Sequence, residues 1–167
     1  FILHSPYQPT GDQPEAIEKL VDGVNKGYME QTLLGVTGSG KTQVFLKLIE
    51  RVVADNKGVI VMVPEIALTP QMVMWFRSRF GEDAAVLHSR LSPGERYDEW
   101  RRIRLGHARV VVSARSAIFA PVEKLGLIVI DEEHEHTYKS ESDPKYHARD
   151  VAAFRCAEHS ALMLLAS

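Results

Sequence analysis

Short apolar runs alternate with amphipathic stretches along this 167-residue chain, the pattern of β-α-β units and of a parallel sheet covered on both faces. Asp12-Gln-Pro-Glu15 forms a capping sequence, and Ile17, Leu20, Val21 and Val24 after it fall on one helical stripe, which predicts a first helix. Thr32-Leu-Leu-Gly35 predicts a short strand entering a glycine-rich turn. Val44, Phe45, Leu48, Ile49, Val52 and Val53 then mark the buried side of a helix. The unbroken apolar run Gly58 to Val63 predicts a strand with both faces covered, ending at Pro64.

Thr69-Pro70 and Ser92-Pro93 each place an N-cap before a proline at the first helical position, so two more helices open there, with Glu95 completing a capping box. Strands are expected at Ala84 to Leu87 and Arg109 to Val112. Leu127-Ile-Val-Ile130, the most apolar strand of the later half, runs straight into Asp131-Glu-Glu-His134. The polar stretch Glu135 to Lys145, with Pro144 near its end, predicts an exposed loop. A helix from about His147 to Glu158 and a closing strand Ala161 to Leu165 follow it.

Composition narrows the class. Hydrophobic residues make up 45% and charged residues 25%, as in ordinary globular α/β proteins. A net charge of -2 supplies no global basic field, so any grip on nucleic acid rests on local placement of Arg and Lys. The single cysteine, Cys156, excludes an intrachain disulfide framework and a four-cysteine zinc site; it is expected to be a small core residue and fits a reducing cytoplasm. No signal sequence and no apolar run long enough to span a bilayer is seen, so the expected location is cytoplasmic, without membrane partners. Starting on Phe1 and stopping on the apolar Ala161-Leu-Met-Leu-Leu-Ala-Ser167, the chain reads as cut from something longer.

Gly35-Val-Thr37-Gly38-Ser39-Gly40-Lys41-Thr42 matches the phosphate-binding loop at every specified position and sits, as the mechanism requires, after a strand and before a helix. Its glycines let backbone N–H groups cradle phosphates, Lys41 supplies a point charge for the β and γ phosphates, and Thr42 offers a hydroxyl to Mg²⁺. Asp131, delivered by the strand before it, is the complementary acid for the Mg²⁺ shell, and Glu132 would polarise the attacking water. Together these residues point to hydrolysis of ATP with Mg²⁺. Upstream, Tyr7 could stack on adenine and Gln13 could bond its edge; packing and surface roles fit the same two residues equally well. His134, His136 and His147 show no ligand spacing of a metal cluster. Arg96, Arg101, Arg102 and Arg104 read as a solvated helix face, and Tyr138 to Tyr146 as a solvated connection or else a DNA-sensing element.

From about residue 43 onward the chain resembles the PriA family of superfamily 2 replication-restart DNA helicases. Val63-Pro-Glu-Ile-Ala-Leu-Thr-Pro-Gln71, Leu87-His-Ser89, Gly94-Glu-Arg-Tyr-Asp-Glu-Trp-Arg-Arg102, Ala114-Arg-Ser-Ala117, Asp131-Glu-Glu-His134 and Tyr146-His-Ala-Arg-Asp150 carry the likeness. Residues 1 to about 34 are more similar to the UvrB excision-repair family, through Tyr7-Gln-Pro-Thr-Gly-Asp-Gln-Pro-Glu-Ala-Ile17 and Gln31-Thr-Leu-Leu34, so the chain reads as a natural mosaic or an engineered fusion. The resemblance implies a RecA-like three-layer α/β/α lobe, the first of two, cut at a Ser-Ala-Thr motif near Ala166-Ser167. It also implies that Tyr7 and Gln13 form the adenine site, and that Pro64, Glu65, Ser113, Arg115 and Ser116 face single-stranded DNA through its phosphates and sugars. His134 would couple the nucleotide site to that surface. The expected function is the ATP-binding lobe of a 3′ to 5′ DNA helicase acting in replication restart, with DNA, a second helicase lobe and replication-restart proteins as partners. A repair module of the UvrB kind and a non-catalytic nucleotide-dependent interaction module are the alternatives.

Overall fold

The computed structural model describes residues 13–33 and 41–167. Each apolar run becomes a strand: β1 (Glu30–Leu33), β2 (Gly58–Met62), β3 (Ala84–Leu87), β4 (Val110–Ser113), β5 (Leu125–Asp131) and β6 (Leu162–Ala166). They form one sheet in the order β1-β6-β5-β2-β4-β3, with every pairing parallel. The amphipathic stretches become α1 (Gln13–Asn25), α2 (Lys41–Ala54), α3 (Pro70–Phe80), α4 (Pro93–Arg104) and α5 (Ala148–His159).

Because successive strand side chains point to opposite faces, the continuous apolar strands feed two cores at once. Val59, Val61, Leu127, Val129, Leu162 and Leu164 pack under α1, α2 and α3 with Leu20, Phe45, Ile49 and Phe76. Their neighbours Ile60, Met62, Ile128, Ile130, Met163 and Leu165 pack on the other face with Ile103 of α4 and Ala148, Ala152 and Cys156 of α5. A side chain of this kind contributes roughly 1.5–3 kcal/mol on leaving water. The sheet is therefore the middle of three layers, and Cys156 is buried in the core as expected.

Helix starts follow the sequence signals. Thr69 accepts a bond from the Met72 N–H at 3.3 Å, and Ser92 and Glu95 close a reciprocal capping box at 3.3 and 2.8 Å. His147 caps α5, its Nδ1 accepting from the Arg149 N–H at 3.2 Å.

The stretch expected to be a wholly exposed loop departs from that expectation. Glu141 to Lys145 is exposed, but a single 3-10 turn at His136–Tyr138 carries Tyr138 into the core at 1% exposure, and Ser140 is 4% exposed. The Tyr138 hydroxyl lies 2.6 Å from the Asp131 carbonyl oxygen and 3.2 Å from that of Met62, so the loop is bonded to the ends of β5 and β2. An antiparallel bridge between Lys139 and His147 and a 2.7 Å bond from the Ser140 N–H to the Tyr146 carbonyl close its base.

Parallel strands gather their C-terminal ends on one edge of the sheet. The chain leaves β2 towards β3 on one side and leaves β5 towards β6 on the other. Open α/β sheets bind ligands at the C-terminal edge where the winding reverses in this way. Here that edge is marked by Met62 and Asp131.

Candidate nucleotide site and nucleic-acid cleft

Lys41 opens α2 and Asp131 closes β5, so strand order and helix direction bring residues far apart in sequence to one edge. Glu132 adopts a positive φ of 50°, a left-handed conformation that costs a non-glycine residue of order 1 kcal/mol. Neighbouring bonds hold it there. The Glu132 N–H donates to Asp131 Oδ1 at 3.1 Å, the Glu133 N–H to the Ala166 carbonyl at 3.1 Å, and the Glu135 N–H to the Glu132 carbonyl at 2.9 Å. The turn leaves Glu132 Oε1 3.8 Å from Lys41 Nζ and Glu132 Oε2 3.4 Å from His134 Nε2.

Burial, followed by the adjacent Glu132 charge, raises the Asp131 carboxyl above its ordinary value, while the bond from the Glu132 N–H and the Lys41 charge oppose the shift. Two carboxylates share one lysine at this edge. Such a site gains from a further positive charge, and the residue types suit a hard divalent cation held largely by phosphate and water. Thr42 lies exposed beside Lys41 in the first turn of α2. Gln13 is partly buried at the start of α1. Tyr7 and the loop residues Gly35, Thr37, Gly38, Ser39 and Gly40 lie outside the described residues, as does the Asp12 cap.

A second feature opens on the same side of the sheet. A cleft of about 380 Å³ is lined by Glu65, Ser113, Arg115 and Ser116, four of the five residues expected to face DNA, together with His88 and Ser89. Ser113, at the end of β4, is only 2% exposed and sits 3.5 Å from Ser116, hydroxyl to hydroxyl. Pro64 does not line the cleft. It is buried, and it turns the chain so that Glu65 and Ile66 are exposed. His134 also stands apart from the cleft, beside Glu132.

Arg115 is committed within the fold. Its Nη1 donates to the carbonyls of Lys139 at 2.5 Å and Thr137 at 3.3 Å, and its guanidinium lies 5.7 Å from the Tyr146 ring centroid. The Tyr146 ring in turn packs edge-on against Phe119 at 5.1 Å. Arg149 joins the acidic turn to the first strand, reaching Glu133 and Glu30 at 3.2 Å each. Sequence reading assigned no role to Tyr138 as an anchor, to Arg115 as a clamp on the loop or to Arg149 as a bridge; all three are long-range contacts without a local spacing signal. No group of three or more His, Cys, Asp or Glu side chains placed to hold a metal occurs among the described residues, and no described helix is long and apolar enough to cross a membrane.

Comparison with known proteins agrees with this geometry. The chain is 53% identical to the replication restart protein PriA of Bacillus subtilis over 100% of its own length and 21% of that protein. It is 49% identical to PriA of Treponema pallidum over 96% of its length and 24% of the relative. It therefore spans about a quarter or less of these curated relatives, and the PriA likeness extends over the front segment that was expected to be UvrB-like. Among solved structures, the Hef helicase domain of Pyrococcus furiosus superposes with a TM-score of 0.63 at 23% identity, covering 95% of this chain and 32% of that one. T4 UvsW superposes with a TM-score of 0.62 at 16% identity, covering 98% and 31%. Those two likenesses establish the RecA-like α/β fold. With the DEAD/DEAH box helicase signature matched across residues 10–167, the chain belongs to the DEAD/DEAH box helicase family.

Proposed function

We propose that this helicase lobe binds Mg-ATP at the Lys41–Asp131–Glu132 edge and couples its hydrolysis to movement along single-stranded DNA, in the 3′ to 5′ sense and in replication restart, as one of the two lobes of a PriA-like motor. The observation that carries the reading is the approach of Lys41 to Glu132 at 3.8 Å, beside the half-buried Asp131, at the edge where α/β sheets take ligands. Lys41 neutralises phosphate charge. Thr42 and Asp131 would hold Mg²⁺, which when bound draws charge from the phosphate oxygens. Glu132 orients the attacking water and accepts its proton, and His134, 3.4 Å from Glu132, positions that carboxylate. Tyr7 and Gln13 form the adenine contact. The second lobe would supply arginines to the γ phosphate.

The cleft at Glu65, Ser113, Arg115 and Ser116 supports a DNA track on the same edge. Arg115 binds the loop that bears Tyr138, and Tyr138 binds the Asp131 carbonyl, which links occupancy of the cleft to the acidic turn. The PriA likeness supports replication-restart proteins as further partners.

Titration with fluorescent ATP and Mg²⁺ tests the reading by comparing the chain with Lys41→Ala. The expected result is a loss of at least tenfold in affinity, about 1.4 kcal/mol. Equal binding by the two proteins would overturn the assignment of the phosphate site.

A further inference from the structure

The largest groove among the described cavities is not at the nucleotide edge. It has a volume of about 790 Å³ and runs along the outer side of α4. Its floor is apolar, made of Tyr97, Trp100, Leu105 and Pro121, and three arginines, Arg96, Arg101 and Arg104, flank it. Tyr97 is 68% exposed and Leu105 56% exposed, so the floor is open to a partner.

Charge on this helix is sorted. Glu95 is taken up by the Ser92 cap, and Glu99 is bonded to Arg102 at 2.9 and 3.0 Å. Arg102 also donates to the Glu82 carbonyl at 2.6 Å and lies off the groove. Arg96, Arg101 and Arg104 have no carboxylate partner among the described residues, and no acidic side chain lines the groove. The four arginines that looked like one solvated face thus divide into one structural residue and three unpaired ones beside an apolar trough.

Three guanidinium groups along a trough of rings and aliphatic carbon complement carboxylates that alternate with apolar side chains. From Arg96 to Arg104 the helix rises about 12 Å, the reach of roughly four residues of extended peptide at about 3.3 Å each. In such a peptide, alternate residues face opposite ways, so carboxylates meet the arginine rim while apolar side chains enter the floor. Guanidinium groups pair with carboxylates in planar, two-bond geometry. Single-stranded nucleic acid is the competing occupant, because arginines also bind phosphates and aromatic rings stack on bases, and the test separates the two.

We propose that the α4 groove is a docking site for an acidic segment of a partner protein that carries aromatic or branched apolar anchors. The site is separate from the nucleotide edge, and only Arg96 is shared with the DNA cleft.

Fluorescence anisotropy on the whole chain tests this with four labelled probes. One is an eight-residue peptide alternating aspartate with phenylalanine and leucine. The second replaces its aspartates by lysine, the third replaces its apolar residues by serine, and the fourth is an oligothymidylate. The first peptide is expected to bind saturably, the lysine peptide not at all, and the serine peptide at least about tenfold more weakly. Tyr97→Ala and the double variant Arg101→Glu, Arg104→Glu should each weaken the first peptide by about tenfold or more. Arg101→Lys with Arg104→Lys keeps the charge but not the two-bond geometry, so it should bind more weakly than the parent and more tightly than the glutamate variant, and it serves as the second variant should the glutamate variant fail to fold. The proposal is overturned if the first peptide shows no saturation, if Tyr97→Ala and the glutamate variant bind it as the parent does, or if the lysine peptide binds equally well. It is also overturned if only oligothymidylate binding depends on Tyr97 and Arg101, which would make the groove an extension of the DNA track.

Discussion

Replacing Tyr138 by Phe removes one oxygen and leaves the ring in place, which isolates the hydroxyl's contribution. Burial, and then the negative charges of Asp131, Glu135 and Glu132, raise the Tyr138 hydroxyl well above its ordinary value, so it remains a donor throughout the usable pH range. It bonds the Asp131 carbonyl at 2.6 Å, with the Met62 carbonyl at 3.2 Å. A net hydrogen bond is worth about 0.5–1.5 kcal/mol, and leaving a buried acceptor unpaired costs about 1–3 kcal/mol. Tyr138→Phe is therefore expected to cost about 1–2 kcal/mol, a fall in Tm of roughly 3–6 °C for a domain of this size. Tyr138→Ala also opens a cavity and should cost about 3–5 kcal/mol. Thermal unfolding followed by circular dichroism, without nucleotide, measures both. The same Phe variant should weaken fluorescent ATP, because the Asp131 carbonyl loses its tie to the loop. A stability change within about 0.5 kcal/mol, the range of ordinary surface substitutions, would refute the anchoring role.

Asp131→Asn should raise the Tm of the nucleotide-free chain at pH 8 while abolishing Mg-ATP binding. The carboxyl is raised in the folded state, so its ionised form opposes folding above its unfolded value; the gain should shrink on acidification, and a lower Tm for the variant at pH 8 would contradict this. Ser92→Ala should cost about 1 kcal/mol through loss of the α4 cap, read from urea midpoints. The backbone and then the side chain of Ser92 hold the Glu95 carboxyl below its usual range, a contribution present above its unfolded value and lost as pH falls through the folded one. The Ser92 N–H that gives most of this shift remains in the variant, and the cap bond to Ser92 Oγ does not titrate, so the difference between parent and variant should largely persist in acid. Gly58→Ala places a Cβ against Val122 Cγ1 where β2 begins and should cost about 1–3 kcal/mol by overpacking, whereas unchanged stability would show that Val122 yields freely.

The layers, the strands and the capped helices were legible in the sequence because each rests on local periodicity. Val59 and Ile60, or Val61 and Met62, need only alternate to supply two cores, and the Ser92–Glu95 box closes within three residues. The placement of Lys41 at the start of α2 and of the acids at the end of β5 was legible for a different reason, since their order along the chain mirrors strand, turn and helix. The loop after the acids was not. Tyr138 sits among Lys, Ser, Glu and Asp, and its local pattern is that of a solvated turn. Its burial depends on the carbonyl of Met62, 76 residues away, and no window along the sequence contains that partner.

Arg115 shows the same limit with a functional consequence. Its place in Ala114-Arg-Ser-Ala117 made it an expected DNA contact, yet its guanidinium already serves the carbonyls of Thr137 and Lys139 and faces the Tyr146 ring. A residue so engaged can meet a phosphate in the cleft only by sharing its donors or by releasing the loop. Sharing leaves Tyr138 on the Asp131 carbonyl and makes Arg115 a fixed part of the track. Release frees Thr137 and Lys139 and loosens the turn on which Glu132 is held at positive φ. The two cases separate experimentally: under release, DNA should raise amide exchange at Thr137 to Ser140 in the parent, and Arg115→Ala should show that faster exchange without DNA. Under sharing, DNA leaves the exchange unchanged.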